Sequence, residues 1–175
     1  MAGVEVLLGE DPQLSLQFTR RTGQQSRRFV GVLARSNKLV LQYKQLLQDL
    51  GGGRLRRHLS ERIPQVLSHR FGWVRADDDT VLRVEIVDVI FEAEDYLSAV
   101  TVTWKLETSL SEVADNSILW RRCVDWRQDL GGLNMQRMLV MGAEHRERLV
   151  DEMASALADH LANLLAQDME RQVSP

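Results

Sequence analysis

The chain has 175 residues, of which 44% are hydrophobic and 27% are charged, and its formal net charge is −3. This length predicts one domain of ordinary size that buries roughly 70% of the unfolded surface on folding, and the composition excludes disorder over most of the chain. The single cysteine, Cys123, excludes an internal disulfide. The acidic balance argues against nucleic-acid binding by bulk charge, so no nucleic-acid partner is expected.

The sequence carries neither a membrane-spanning stretch nor an export signal. Its most apolar run, residues 84–91, contains Glu85 and Asp88 and falls far short of the ~20 apolar residues that a spanning helix needs. The first residues lack the basic segment and apolar core of a secretory leader. We therefore expect a soluble chain. It is cytoplasmic if native as it stands, and lies in the periplasm or on the inner face of the outer membrane if a leader has been removed.

Residues 1–50 have the period-two apolar patterns of short strands. Apolar residues alternate over 4–8 and again over 14–18, on either side of a turn at 9–12, which predicts a β-hairpin. Two further strands are predicted at 29–33 and 39–43, and a helical turn at 45–50. Three glycines at 51–53 then interrupt the chain.

Two later segments, 54–72 and 143–168, have the three- and four-residue apolar spacing of amphipathic helices. The stripe of the first consists of Leu55, Leu59, Ile63, Val66, Leu67 and Phe71. Pro64 is expected either to kink this helix or to lie in the first turn of a helix capped by Ser60. The second helix follows Gly131 and Gly132, and most of its charges lie off its apolar stripe.

Between the helices, residues 81–130 predict three long strands in an antiparallel meander. The apolar row at 82, 84 and 86 slips by one residue to 87, 89 and 91, which predicts a β-bulge. Trp104, Trp120 and Trp126 lie on the inward rows and are expected in the core, with a platform for a bound apolar chain as the alternative. We therefore predict a single α+β domain over 1–175, a mostly antiparallel β-sheet packed on one face by two principal helices.

The residue types that most often act in catalysis or bind metals form no catalytic pattern in this sequence. His58, His69, His145 and His160 lack the four-residue spacing that directs two histidines to one metal, so no metal site is predicted. A nucleophilic Cys123 needs a histidine nearby, whereas a lone cysteine is more often a small buried hydrophobe, which we expect here. We expect neither enzyme activity nor a cofactor.

Two further features each have a functional and an ordinary interpretation. The acidic residues at 77–79 and 92–95 are candidate acid–base or hard-cation groups, although solvated turn residues are the ordinary choice. The glycines at 51–53 precede a helix, as an anion-binding loop does, but the phosphate-loop and dinucleotide-binding signatures are both absent.

From residue 54 onward the order of elements resembles a known family. The segments that carry the resemblance are Leu55-Arg56-Arg57-His58-Leu59, Phe71-Gly72-Trp73-Val74, Thr80-Val81-Leu82-Arg83-Val84-Glu85-Ile86, Trp104-Lys105-Leu106 and the helix over 152–165. This order resembles that of the auxiliary lipoproteins of bacterial ABC-type lipid transport. It is also similar to the outer-membrane lipoprotein of lipopolysaccharide assembly, whose chain ends in a helix with the residue types found here at Glu152, Met153, Ala156 and Leu161.

The resemblance implies a non-catalytic accessory or scaffold protein of the bacterial cell envelope that assists lipid or lipopolysaccharide transport. Such a protein docks on the transport machinery or shields acyl chains, so its expected partners are envelope proteins, with a lipid or a second copy of the chain as further candidates. The alternative is a cytoplasmic or virion structural adaptor of a phage or secretion machinery, because such a chain is also leaderless, acidic and free of motifs.

Four arginines, Arg20, Arg21, Arg27 and Arg28, concentrate positive charge in this acidic chain. They are candidate contacts for anionic lipid headgroups, an acidic protein or a nucleic-acid backbone, with a solvated loop as the alternative.

Reversing all four to glutamate is expected to weaken binding to anionic vesicles or to a protein partner without lowering the melting temperature. Vesicle sedimentation and pull-down, with the melting temperature as the control, measure this effect. Unchanged binding in both assays would exclude the arginines as a contact site.

Overall fold

The computed structural model describes residues 4–10, 12–18, 37–51, 53–72, 80–95 and 97–173. These residues form a five-stranded mixed sheet with helices packed on it, which confirms the predicted α+β class. The elements in chain order are β1 (Val4–Leu8), β2 (Gln13–Phe18), α1 (Asn37–Leu50), α2 (Arg54–Phe71), β3 (Thr80–Ala93), β4 (Ala99–Glu112), β5 (Ile118–Asn134), α3 (Met135–Val140) and α4 (Ala143–Val173).

The strands β3, β4 and β5 form the predicted antiparallel meander. Alternate residues of β3 and β4 are buried, because their apolar row faces the helices while the opposite row is polar. The predicted bulge is confirmed between Ile86 and Asp88. Val87 lies in this bulge and is 45% exposed, so it does not join Val89 and Phe91 on the buried face as the alternation suggested. The extra residue keeps the rows before and after it on one side of the sheet.

The predicted hairpin of β1 and β2 is wrong. β1 pairs in parallel with Thr80–Val84, and β2 pairs in parallel with residues 88–93, so both strands lie one after the other along the same side of β3. Parallel pairing requires a long crossover between β2 and β3, and the chain between them contains α1 and α2. The alternation of apolar and polar residues correctly predicted the two strands, but it carries no information about which strand each of them pairs with.

The strand predicted at 39–43 is also wrong, because these residues belong to the 14-residue helix α1. Leu46 and Leu50 bury one face of α1, and the Tyr43 hydroxyl on the same helix accepts a hydrogen bond from the Leu16 N–H of β2 at 2.9 Å. Packing of α1 against α4, α3 and α2 thus favours a helix over the local strand pattern. The strand predicted at 29–33 lies outside the described residues.

The two principal helices pack on the same face of the sheet. α2 buries Leu55, Leu59, Ile63 and Leu67, and it ends at Gly72, whose φ of 64° is accessible to glycine at little cost. Pro64 lies inside α2 and not in a first turn, and Ser60 Oγ donates to the Arg57 carbonyl, so it does not cap a helix there.

The helix α4 extends five residues beyond its predicted end and presents leucines together with alanines to the core. Ala154, Ala158 and Ala162 are buried at four-residue spacing, which allows neighbouring elements to approach α4 closely. Among the described residues, none of the helices combines the length and the apolarity required to cross a membrane.

The core is centred on Trp104 of β4, whose side chain is fully buried and whose Nε1–H donates to Gln128 Oε1 at 3.1 Å. Replacing Trp104 with alanine is expected to lower the free energy of unfolding by ~3–5 kcal/mol, through lost burial and the cavity left behind. Chemical denaturation measures the change. Leu119→Ala, at a residue 44% exposed on β5, is the control and should change stability by less than about 0.5 kcal/mol. A loss below about 1 kcal/mol for Trp104→Ala would contradict the central role of this side chain.

Candidate partner-binding surface

Two of the charged groups singled out from the sequence lie outside the described residues. These are the arginine cluster, Arg20, Arg21, Arg27 and Arg28, and the acidic residues at 77–79. Their roles stay predictions.

Two of the acidic residues at 92–95, Glu92 and Asp95, have structural roles. Asp95 Oδ1 accepts hydrogen bonds from the Leu97 N–H and from the Ser98 N–H and hydroxyl, each at 2.8 Å, which is the ordinary chemistry of a turn. Glu92 lies within β3 and not in the turn, and its Oε2 accepts from Thr103 Oγ1 at 2.7 Å and from Arg127 Nη2 at 3.0 Å. These bonds join β3 to β4 and β5 on the face of the sheet away from the helices.

Cys123 is exposed, so the expectation of a buried cysteine is wrong. It lies on the outward row of β5 with Arg121 and Asp125, opposite the inward row that contains Val124 and Trp126. A strand residue follows the alternation of its strand, and this outweighs the general tendency of cysteine to be buried.

The tryptophans of β5 differ from Trp104 in that both are only half-buried. Trp126 stacks on His160 of α4 with ring centroids 4.5 Å apart and an interplanar angle of 9°, and its other neighbour is Trp104 at 6.4 Å. Burial lowers the pKa of His160 and so favours the neutral ring that stacks here. The Trp120 Nε1–H donates to Asp168 at 2.9 Å. The prediction that all three tryptophans are core residues therefore holds fully only for Trp104.

A cluster of charged side chains joins α2 to α4, and we call it the His58 cluster: Arg57, His58, Arg62, Glu147 and Asp151. His58 Nδ1 lies 3.2 Å from Asp151 Oδ1 and its Nε2 lies 2.9 Å from Glu147 Oε1. Each ring nitrogen of His58 therefore faces a carboxylate oxygen of α4. Arg62 binds both carboxylate oxygens of Asp151, at 2.7 and 2.9 Å. The cluster thus fixes the position of α4 against α2.

Hydrogen bonds and neighbouring charges in this cluster lower the pKa values of both of its carboxylates. A hydrogen bond from His58, followed by the fields of His58, Arg57 and Arg54, lowers the pKa of Glu147 from its usual 4.5. Hydrogen bonds from Arg62, assisted by His58, lower the pKa of Asp151 from its usual 3.8. The sequence pattern missed this cluster, because its members are about 90 residues apart and only the packing of two helices brings them together. Within the described ranges, no three histidine, cysteine, aspartate or glutamate side chains are placed to hold a metal ion.

The sheet has two edges of different character. On one edge, β1 and β2 are short, and Gly9, Glu10 and Pro12 lie in the segment that separates them. On the other edge, β5 runs for 17 residues without proline or lysine. In the part of the chain that the structure describes, β5 pairs only with β4. Every second residue of β5 therefore directs its backbone N–H and C=O away from the sheet, and we call this row of groups the β5 edge.

Exposed apolar residues lie at the start of the β5 edge. Val113, in the turn after β4, is 52% exposed, and Ile118 and Leu119, the first residues of β5, are 61% and 44% exposed. The outward row further along β5 carries both signs of charge, from Arg121, Asp125, Arg127 and Asp129. Backbone groups without a partner among the described residues, exposed apolar side chains and charges therefore adjoin along one border of the sheet, an arrangement that binds extended peptide segments in other proteins.

Comparisons with known proteins place lipoproteins among the solved structures that this chain resembles. Protein XCC0632 of Xanthomonas campestris, described under family DUF330, is 11% identical, with 95% of this chain and 88% of that chain covered and a TM-score of 0.42. A candidate lipoprotein of Caulobacter crescentus is 16% identical over 66% of this chain and 86% of that chain, with a TM-score of 0.37. Lipoprotein GNA1162 of Neisseria meningitidis is 13% identical over 93% and 99%, with a TM-score of 0.31.

These likenesses are too distant to assign a family or a function to the chain. No protein-family model matches it. No curated protein matches it either.

The lowered pKa values in the His58 cluster make stability depend on pH. Because the pKa of Asp151 is lower in the folded chain than in the unfolded chain, its contribution is complete above the unfolded value and is lost as the pH falls through the folded value. Asp151→Asn is expected to lower stability near neutral pH by up to about 1 kcal/mol, since the pair is partly exposed and screened by solvent. The variant should also lose less stability than the wild type below about pH 4.

Thermal unfolding as a function of pH measures both effects. Asp159→Asn, an exposed carboxylate on the same helix, is the matched control and should leave the acid limb of the profile unchanged. An identical acid limb for Asp151→Asn and the wild type would contradict the role assigned to the His58 cluster.

Proposed function

We propose that the chain is a non-catalytic accessory domain of the bacterial cell envelope that binds an extended segment of another protein along the β5 edge, and that this contact assists lipid or lipopolysaccharide transport. The observation that supports the proposal most strongly is that β5, a 17-residue strand, pairs only with β4 among the described residues, so that a row of its backbone groups faces away from the sheet. Strand addition satisfies such a row with backbone hydrogen bonds, and neighbouring side chains supply specificity.

The side chains beside the β5 edge favour a protein segment as the occupant. A segment paired with the start of β5 brings its own apolar residues next to Ile118 and Leu119, which are both largely exposed. Further along, a partner strand meets Arg121, Asp125 and Arg127, and opposite charges at these positions favour one register over others. The half-buried Trp126 and Trp120 keep the inward face of β5 anchored to α4, so the strand does not need to move to accept a partner.

The role in transport rests on the residue pattern from position 54 onward. That pattern resembles the auxiliary lipoproteins of ABC-type lipid transport and the lipoprotein of lipopolysaccharide assembly, and in both cases implies docking on larger machinery. A strand edge is suited to docking, because it fixes the orientation of the domain as well as holding it. The cytoplasmic or virion adaptor remains the competing proposal, and the compartment in which the partner occurs separates the two.

The experiment begins with purification of the chain from its native host together with its bound partner, followed by mass spectrometry of lipidation and partners. Hydrogen exchange of the complex is then compared with that of the isolated chain. On partner binding, amides of β5 that face away from β4 are expected to gain protection, because they become hydrogen-bonded. Amides of β1 and β2, on the opposite edge, are the internal control and should exchange at the same rate in both states.

A pair of proline variants tests the same edge without knowledge of the partner sequence. Consecutive residues of a strand direct their N–H groups to opposite sides, so one of Cys123→Pro and Val124→Pro removes a bond to β4 while the other removes only an outward N–H. The variant that removes a bond to β4 should lose stability. The variant that removes only an outward N–H should remain folded and lose partner binding by roughly tenfold or more.

Cys123→Ala and Val124→Ala control for loss of the side chains and should keep binding the partner. Partner binding by the stable proline variant at wild-type affinity would contradict the β5-edge proposal, as would protection confined to other elements. A partner found only in the cytoplasm or in virions would replace the envelope role with the adaptor role.

A further inference from the structure

A second surface lies at the opposite end of β5 from its exposed apolar residues. The end of β5, the helix α3 and the start of α4 together line a cleft of about 300 Å³. We call it the α3–α4 cleft. Its apolar lining consists of Leu130, Leu133, Met141 and Leu149. Leu149 is buried and the other three are half-buried, so these four side chains form a partly shielded apolar floor.

The strand itself opens this cleft. Gly131 and Gly132 have φ values of 64° and 75°, in the left-handed region that favours glycine, and the pairing of β5 with β4 is interrupted between residues 129 and 134. The Gly131 N–H donates to Asp129 Oδ1 at 2.8 Å, which holds the bend in place.

The rim of the cleft is cationic. Arg137 of α3 and Arg148 of α4 lie at its mouth with His145, and Glu152 is the one acidic side chain among the lining residues. Both arginines are exposed, and neither forms an ion pair with a carboxylate of the described residues. By contrast, Arg57, Arg62 and Arg122 are each within 2.7 Å of a carboxylate oxygen. The charge at the cleft is therefore available to an external anion.

We propose that the α3–α4 cleft binds an anionic amphiphile with a single short alkyl chain. The apolar floor accepts the alkyl chain, and the two guanidinium groups bind the head group, since arginine recognises carboxylate and phosphate with paired hydrogen bonds. A volume of about 300 Å³ is at the lower limit of ligand pockets, which favours one chain over the two chains of a bilayer lipid. The proposal goes beyond strand addition at the β5 edge and does not depend on it, because the cleft would bind its ligand through side chains at the end of β5 and on α3 and α4, whereas the exposed apolar residues of the β5 edge lie at the start of the strand.

The test uses three probes below their micellar concentrations: octanoate, octyl glucoside, which has the same chain with a neutral head, and acetate, which has the head without the chain. Titration calorimetry of the full chain is expected to detect octanoate and to find binding of the other two at least tenfold weaker. Chemical-shift changes on adding octanoate should centre on Leu133, Arg137 and Arg148. Equal binding of octyl glucoside would contradict the role of the charge, and equal binding of acetate would contradict the role of the floor.

Variants localise the binding. Arg137→Gln combined with Arg148→Gln is expected to weaken octanoate binding by roughly tenfold or more, because two charge-assisted hydrogen bonds are lost. Arg83→Gln, at an exposed arginine on the outer face of β3, is the matched control and should bind octanoate as the wild type does. Met141→Gln tests the floor with little risk to the fold, since Met141 is only half-buried. Wild-type binding by the double arginine variant, or failure of the wild type to bind octanoate, would overturn the proposal.

Discussion

The structure depends on one constraint, namely that the inward faces of the two central long strands must be covered. β3 and β4 alternate large apolar residues with polar ones, and each buried side chain contributes about 1.5–3 kcal/mol only when helices exclude water from it. α2 and α4 provide that cover, and Trp104 lies fully buried beneath them. β5 lies farther out and receives only part of the cover, which explains why its inward row is only half-buried from Trp120 to Leu130.

The helix α4 connects this core to both candidate surfaces. Near its start it contributes Leu149 to the core and Arg148 to the α3–α4 cleft. In its first half the His58 cluster holds it to α2, and near its end Asp168 accepts bonds from Trp120 and Arg122 of β5. The geometry of the β5 edge and the shape of the cleft therefore both depend on the position of α4. Ion pairs and apolar packing together fix that position.

Sequence reasoning succeeded where one local pattern persisted for many residues. The apolar periods of α2, α4 and the three meander strands each repeat over 14 residues or more. Over such lengths, side-chain packing and local propensity favour the same secondary structure. The β-bulge of β3 is visible in the sequence as a one-residue slip of this period. It failed where the answer depended on distant residues. The parallel pairing of β1 and β2, the helical state of α1 and the contacts of His58 are all decided by elements that are remote in sequence and adjacent only after folding.

A long unpaired edge attracts any strand, so its side chains must restrict which strand it accepts. In the proposed contact, the charges on the outward row of β5 supply this restriction. Asp125 lies opposite Lys105 of β4, and Arg127 binds Glu92 of β3, so these charges are already partly balanced within the sheet. A partner strand that places like charges beside them is destabilised by roughly 0.2–1 kcal/mol at each position, and these penalties accumulate along the strand. Under the proposed function, backbone hydrogen bonds that any strand can form supply the affinity of the β5 edge, and its charge pattern supplies the selectivity.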